Sequence, residues 1–432
     1  MNKYLKFLIP ALLALAIGLG LLQRKNLPDF SFGSRTSVAH FSDASDKSLA
    51  DYYQTAQQLL QNSGGAGSRF AGQTSTTTFL AVGDIMLSRN VAAATLNSSI
   101  KEGVDDSDFP FRNDADTLKS TDFNFGNLES PFGTKTGGAI IGGHSLIFGA
   151  ADNSVGALKN YNFKILNLAN NHAFDQGLTG LNFTKKLLSD NGIQNEGTGN
   201  NLDQAWTPAI ITSNGIKICF VGASFSSIND GGKTSNNYVA RIEDLDRLKS
   251  SILNLKSTCD FVVVTMHAGT EYTRTPNEAQ TDFAHTAIDD GADIVIGAHP
   301  HWVQTVEKYK NKYIFYSLGN FIFDQNFSQD TKEGLTLKMT ISKAACHPEG
   351  VQPTEGSLNA GQLTNLRDSS AALGMTQTAA CIDDLQGNRI AAKLTSIELI
   401  PVIINNSQPR PAKTDEAKKI LQKIGENQNI LK

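Results

Sequence analysis

Residues 259–272 read CDFVVVTMHAGTEY, and residues 292–304 read ADIVIGAHPHWVQ. Each is a short, continuously apolar run that ends in histidine. A run without polar alternation marks a strand buried on both faces. Between them, EAQTDFAHTAIDDG (278–291) has the length and composition of a helix. The same unit recurs outward from this pair. Apolar runs FLAVGD (79–84), DFNFGNLE (122–129), FKILNLANNH (163–172) and KICFVGAS (217–224) alternate with the helix-compatible GLTGLNFTKKLLSDNG (177–192) and RIEDLDRLKSSILNLK (241–256). Strands alternating with helices predict an α/β sheet covered on both faces. In such sheets the loops beyond the strands' carboxyl ends form the ligand crevice. After KYIFYSLGNFIFDQ (312–325), two more strands are expected, GLTLKMTISKA (334–344) and AAKLTSIELIPVII (391–404). They are separated by an irregular insertion over 346–381 and followed by a helix over 414–426.

The chain has 432 residues, 40% of them apolar and 19% charged, which suits a globular protein with a sizeable core. Without Lys3, Lys6, Arg24 and Lys25, which flank the first apolar run, 34 basic residues face 42 acidic ones. That balance argues against a nucleic-acid or anionic-lipid surface. The flanked run is FLIPALLALAIGLGLL (7–22). With its neighbours it reaches about 20 residues, enough to cross a bilayer core. It has no polar face, so the expectation is an uncleaved membrane anchor over 1–25. A cleaved signal peptide is the alternative. Residues 26–78, rich in Ser, Gly, Ala and Gln, read as a tether with one helical segment at 48–61. The expected domain occupies 79–432.

Chemistry-bearing residues collect at the strand ends. Asp84 leaves a strand in VGDIML, a place for a metal ligand or a helix cap. Asn127 and Glu129, two apart on an extended chain, point to one side. LANNHAFDQG offers Asn170, Asn171, His172 and Asp175 in one turn, where Asn171 can ligate and His172 can act as an acid oriented by Asp175. His267 follows the first quoted run. His299 and His301 flank Pro300, which keeps the link from becoming helical. His285 lies in a helical pattern, and His144 in a glycine-rich loop. Singly each signal has a bland reading. In order, Asp, Asn/Glu, Asn-His, His and His-x-His are the supply for a two-metal hydrolytic centre. Oxygen and imidazole donors suit Mn, Fe or Zn.

With these motifs the chain resembles the CapA family of poly-γ-glutamate capsule biosynthesis proteins, of the calcineurin-like metallophosphoesterase superfamily. The matching stretches are VGDIML, FGNLESP, LANNHAFDQG, HAGTEY, GAHPHWVQ and YSLGNFIFDQ, spanning 82–325. The resemblance implies a four-layer α/β/β/α sandwich of the metallo-dependent phosphatase type, which the expected transmembrane helix over 1–25 would precede. It also implies an extracytoplasmic location and a role with an anionic polymer. By matching positions, Asp84, Asn127, Glu129, Asn171, His267, His299 and His301 would be metal ligands. His172, held by Asp175, would be the catalytic acid. Met86 stands where the superfamily has a ligand histidine, and Ala268 where the family commonly has Trp, which could reshape the pocket. Two functions compete: a metal-dependent hydrolase or transferase, and a non-catalytic polymer-binding scaffold of a synthesis and export complex. Cys219 and Cys259 begin strands and read as small buried hydrophobes. Cys346 and Cys381 bracket the insertion, and the outside location permits a disulfide between them.

Overall fold

The computed structural model describes residues 74–134, 140–141, 144–145, 147–227, 236–344 and 392–424. The apolar run at 7–22, the segment at 48–61 and the insertion with Cys346 and Cys381 lie outside these residues. No helix among the described residues is long and apolar enough to cross a membrane.

In chain order the strands are β1 (Ser75–Ile85), β2 (Phe123–Leu128), β3 (Ile140–Ile141), β4 (His144–Ser145), β5 (Phe163–Asn167), β6 (Gln194–Glu196), β7 (Ala209–Ser213) and β8 (Ile216–Ser224). They continue with β9 (Phe261–His267), β10 (Ile294–Ala298), β11 (Val306–Tyr309), β12 (Lys312–Phe315), β13 (Asn320–Ile322), β14 (Glu333–Lys343), β15 (Lys393–Asn405) and β16 (Gln408–Pro411). Helices longer than one turn are α1 (Arg89–Glu102), α2 (Ser154–Asn160), α3 (Gly177–Asp190), α4 (Leu245–Leu255), α5 (Glu278–Asp290) and α6 (Thr414–Lys423).

Two mixed sheets result. The first runs β16-β15-β14-β1-β2-β5-β6, with β13 beside β1, and the second runs β11-β12-β10-β9-β8-β7. Within the first, β13, β1, β2, β5 and β6 are parallel and the β14–β16 side is antiparallel. Period-two alternation then sorts the side chains. Phe79 and Ala81 of β1 share one apolar cluster with Phe123, Phe125, Phe220, Phe261, Val263, Ile294 and Ile296, so the two sheets face each other. The intervening Leu80 and Val82 pack the other way with Val155, Leu158, Leu181 and Leu188 of α2 and α3. On the second sheet, Val262, Val264 and Val295 pack with Leu248, Ile252, Phe283 and Ala287 of α4 and α5.

The local alternation predicted an α/β sheet covered on both faces, without saying by what. The chain forms two facing sheets, each covered by helices on one side and by its partner on the other, the α/β/β/α layering that the resemblance implied. A cover of helices and a cover of sheet both bury a strand, so continuous apolar runs do not separate them. Each fully buried Phe at the sheet interface contributes about 1.5–3 kcal/mol, and Phe79 stacks on Phe123 with ring centroids 5.0 Å apart.

The expected helices at 177–192 and 278–291 end one or two residues early, and the one at 241–256 begins four residues late, with Asp244 accepting from the Arg247 N–H at its start. α1 was not foreseen. Its exposed residues include Leu96 and Ile100, so it lacks an amphipathic pattern.

Cys219 and Cys259 correct another expectation. They are buried but not free: the two form a disulfide, with Cα atoms 6.0 Å apart. Parallel pairing of β8 with β9 sets Cys219 opposite Val262 and so brings the chain just ahead of β9 within reach.

Candidate metal centre

A row of polar residues crosses the sheet near the carboxyl ends of β1, β2 and β5 and the start of β13. Asp84 of β1 is in register with Asn127 of β2 on one side and Asn320 of β13 on the other, and Asn127 is in register with Asn167 of β5. This row is hydrogen-bonded across the sheet. Asn167 Nδ2 donates to Asn127 Oδ1 at 2.9 Å, and Asn127 Nδ2 donates to Asp84 Oδ1 at 2.8 Å. Gly83 makes the β1–β13 approach feasible, because a Cβ there would lie 1.8 Å from the Gly319 carbonyl oxygen.

The facing sheet delivers imidazoles. His267 ends β9, and His299 and His301 follow β10. His267 and His299 ring centroids are 4.7 Å apart, and those of His299 and His301 6.1 Å. The three are therefore one cluster, as a two-metal site requires. His267 lies between the sheets, with Nδ1 3.1 Å from Asn127 Nδ2 and Nε2 2.8 Å from Asn171 Oδ1. His301 Nδ1 is 2.9 Å from Asn320 Oδ1 and 3.5 Å from Asp84 Oδ2. The His299 backbone N–H donates to Asp84 Oδ2 at 3.3 Å.

Two sets of donor atoms lie close enough to share an ion: Glu129, His267 and His299, and Asp84, Glu129 and His301. Glu129 belongs to both. It is wholly buried, yet neither carboxylate oxygen has a hydrogen-bond partner among the described residues, and His299 Nδ1 is likewise unpartnered. Burial, then the nearby Asp84, pushes the Glu129 carboxyl well above its ordinary value. Burial also pushes His267 and His299 well below theirs, which keeps them neutral, as ligand imidazoles must be. An unsatisfied buried carboxylate costs several kcal/mol. Carboxylate oxygens beside neutral imidazoles are what a divalent cation of the Mn, Fe or Zn type takes, so the residues fit such an ion.

His172 sits at the rim. Its Nδ1 is 2.7 Å from Asp175 Oδ2, and its Nε2 is 3.7 Å from Glu129 Oε1. Phe148 stacks on the imidazole with centroids 3.8 Å apart, and the Phe148 N–H donates to the same Asp175 oxygen. Strained backbone gathers here too. Arg89, Tyr272, His299 and His301 all have positive φ, at 51°, 60°, 100° and 57°. Non-glycine residues hold such angles where surrounding contacts over-determine them.

Asp84, Asn127, Glu129, Asn171, His172, His267, His299 and His301 thus converge, with Asp175 behind His172. Asn127 sits differently from an open ligand. Its amide oxygen accepts from Asn167 and its amide nitrogen donates to Asp84, so both ends are engaged within the protein. Asn170 bonds the Leu128 carbonyl and shapes the turn. Met86 packs in the apolar cluster beneath the helices. Ala268 is buried in the core on the helix side of the second sheet, so it does not reshape the pocket. His285 lies on α5, stacked on Tyr309 and bonded to Glu307. Sequence reading missed Asn167 and Asn320. Both belong to quoted motifs, but their role depends on strand register.

A family model described as "Bacterial capsule synthesis protein PGA_cap" matches residues 78–325. The chain is 32% identical over 268 residues to "Capsule biosynthesis protein CapA" of Bacillus anthracis, covering 60% of this chain and 62% of that one. It is 32% identical over 265 residues to "PGA biosynthesis protein CapA" of Bacillus subtilis, covering 61% and 67%. The matched region thus spans about two thirds of these relatives. A "Probable polyglutamine synthesis accessory protein" of Mycobacterium tuberculosis is 30% identical over 171 residues, covering 36% and 44%. Among solved structures, a phosphatase from Mycoplasma pneumoniae aligns with a TM-score of 0.37 at 12% identity, covering 63% of this chain and 89% of that one.

Proposed function

Since the chain belongs to the bacterial capsule synthesis protein PGA_cap family, we propose that it is a metal-dependent hydrolase or transferase acting outside the cytoplasm on an anionic polymer, poly-γ-glutamate or a similar one. The observation that carries this reading is Glu129: a buried carboxylate with two unsatisfied oxygens, shared by two sets of imidazole and carboxylate donors. Asp84, Glu129, His267, His299 and His301 would hold one or two divalent ions of Mn, Fe or Zn, with Asn171 as a further oxygen donor. Bound there, such an ion supplies Lewis-acid stabilisation of charge at a phosphoryl or acyl oxygen.

The chain's own residues do the rest. Asp175 fixes His172 through Nδ1, which leaves Nε2 as the atom that holds a proton for the leaving oxygen. Phe148 covers one face of the imidazole and excludes water from it. The Asn167–Asn127–Asp84 row fixes the Asp84 carboxylate without adding charge.

The extracytoplasmic placement draws on the apolar run at 7–22 and on the Cys219–Cys259 disulfide, a bond favoured in oxidising compartments. On this reading the N-terminal run anchors the protein in the membrane, beside other synthesis and export subunits.

A second reading, a polymer-binding scaffold, is favoured by one feature. Met86 takes a ligand position out of the site and into the apolar core. Elemental analysis of the purified full-length chain, with hydrolysis assays on phosphodiester and γ-glutamyl probes, separates the two. Stoichiometric metal with turnover lost in His172→Asn supports the enzyme. Bound metal without turnover supports the scaffold. Absence of Mn, Fe and Zn after reconstitution would sink the metal-centre reading.

A further inference from the structure

Two quoted motifs carry residues that the proposed chemistry leaves unused: Asp324 in YSLGNFIFDQ, and Arg89, which follows VGDIML. In the fold they meet. The Arg89 guanidinium forms an ion pair with Asp324 Oδ1, whose side chain is almost wholly buried. Asp324 Oδ2 accepts from the Asn90 backbone N–H at 3.2 Å. The guanidinium carbon lies 4.7 Å from the centroid of the Phe148 ring and 5.7 Å from that of Phe323. Phe148 is the ring that stacks on His172. Contacts therefore run without a break from Glu129 through His172 and Phe148 to Arg89.

A surface ion pair that only tethered α1 would leave three of these features unexplained. Arg89 holds a left-handed backbone conformation with φ 51°, a strained choice for an arginine. Its side chain is 13% exposed, so it is accessible from outside yet mostly shielded. Its Nε–H is buried without a hydrogen-bond partner among the described residues. Asp324 engages one end of a five-donor fork, leaving donors for another planar oxyanion. Aromatic rings hold the fork in a low-dielectric setting, where an anion contact gains strength.

We propose that Arg89, held by Asp324 and the Phe148–Phe323 rings, is the substrate-binding residue that takes an oxyanion of the substrate beside the metal centre and so sets the substrate's position against His172. This rests on the functional reading above for the identity of the site, though not for the binding itself. The shared ligand chemistry is a carboxylate or a phosphoryl oxyanion.

The test is calorimetric titration of the full-length, metal-reconstituted chain with glutarate and, separately, with inorganic phosphate. Wild type is compared with Arg89→Gln and Arg89→Lys, and metal content and thermal unfolding are recorded for each. One charged hydrogen-bond donor is worth about 10- to 100-fold in Kd. Arg89→Gln is expected to weaken at least one of the two anions by that factor at unchanged metal content, and Arg89→Lys by less. Loss for glutarate alone identifies a carboxylate subsite, and loss for phosphate alone a phosphoryl subsite. Should Arg89→Gln fail to fold, a weakened Kd in folded Arg89→Lys decides. Unchanged Kd values in a folded variant, or no binding of either anion to wild type, overturns the proposal. If wild type takes up no metal yet binds an anion, and Arg89→Gln weakens that binding, the metal-centre reading falls and this one stands.

Discussion

The two sheets meet at one site but bring different chemistry to it. At its carboxyl edge the first sheet contributes oxygen and amide groups, Asp84, Asn127, Asn167 and Asn320, and most of these already bond one another in a row. The second contributes three imidazoles, His267, His299 and His301, and the His299 ring keeps an unpartnered nitrogen. Glu129, just beyond β2, is the oxygen donor left unsatisfied, and it faces the imidazoles. The difference teaches how such a site can be rigid and still bind. One wall is braced internally by hydrogen bonds, while the other keeps an unpartnered ring nitrogen at His299.

Removing a donor from either wall tests that division most severely. Glu129→Gln and His299→Ala are both expected to lose stoichiometric metal in elemental analysis. Asn127→Ala should lower metal affinity only about 10- to 100-fold, as loss of an orienting partner does. If Asn127→Ala abolished binding as Glu129→Gln does, Asn127 would be a ligand and the braced wall a misreading.

His172 belongs to the first sheet's loops and, on the proposed reading, holds a proton rather than a metal. His172→Asn should cut turnover about 10²–10⁴-fold with metal content nearly unchanged. Metal lost along with activity would make His172 a ligand instead.

The second sheet carries its own brace, the Cys219–Cys259 bond, which closes a 40-residue separation. Chain-entropy arguments give it about 4 kcal/mol. The double variant Cys219→Ser/Cys259→Ser should unfold at lower denaturant by that order. Free-thiol counts in denatured, unreduced protein should equal those of wild type, and a drop of two would show that the bond was absent.

The last test concerns the seam between the sheets. Glu196, from β6, accepts a hydrogen bond from Thr265 Oγ1 of β9, and burial raises its carboxyl to about 8. A group whose folded value exceeds the ordinary 4.5 holds its proton in the folded state, so stability falls as pH climbs from about 4.5 to about 8. Glu196→Gln keeps the shape without the charge. Its Tm should match wild type near pH 5 and exceed it at pH 8. Equal values at both would mean that Glu196 carries no such penalty.

Much of this was legible in one dimension. VVVTMH and DIVIGAHPH each state a strand and its terminal donor within ten residues, because an apolar run and the loop after it are neighbours in sequence. Helices α3, α4 and α5 were legible for the same reason, while α1 was not, since its exposed Leu96 and Ile100 blur the pattern. Likewise, nothing local to Cys219 or Cys259 distinguished a bonded pair from two buried thiols.

By itself, then, the sequence determined the strand ends, the donor residues on them and the family to which the chain belongs. Only the tertiary structure decided that two sheets face each other, that Asn320, Asp84, Asn127 and Asn167 lie in one row, that Cys219 reaches Cys259, and that Arg89 stands against the ring on His172. The physical reason is range. Apolar periodicity is a property of consecutive residues, whereas strand register and sheet facing are set by packing among residues tens to hundreds of positions apart.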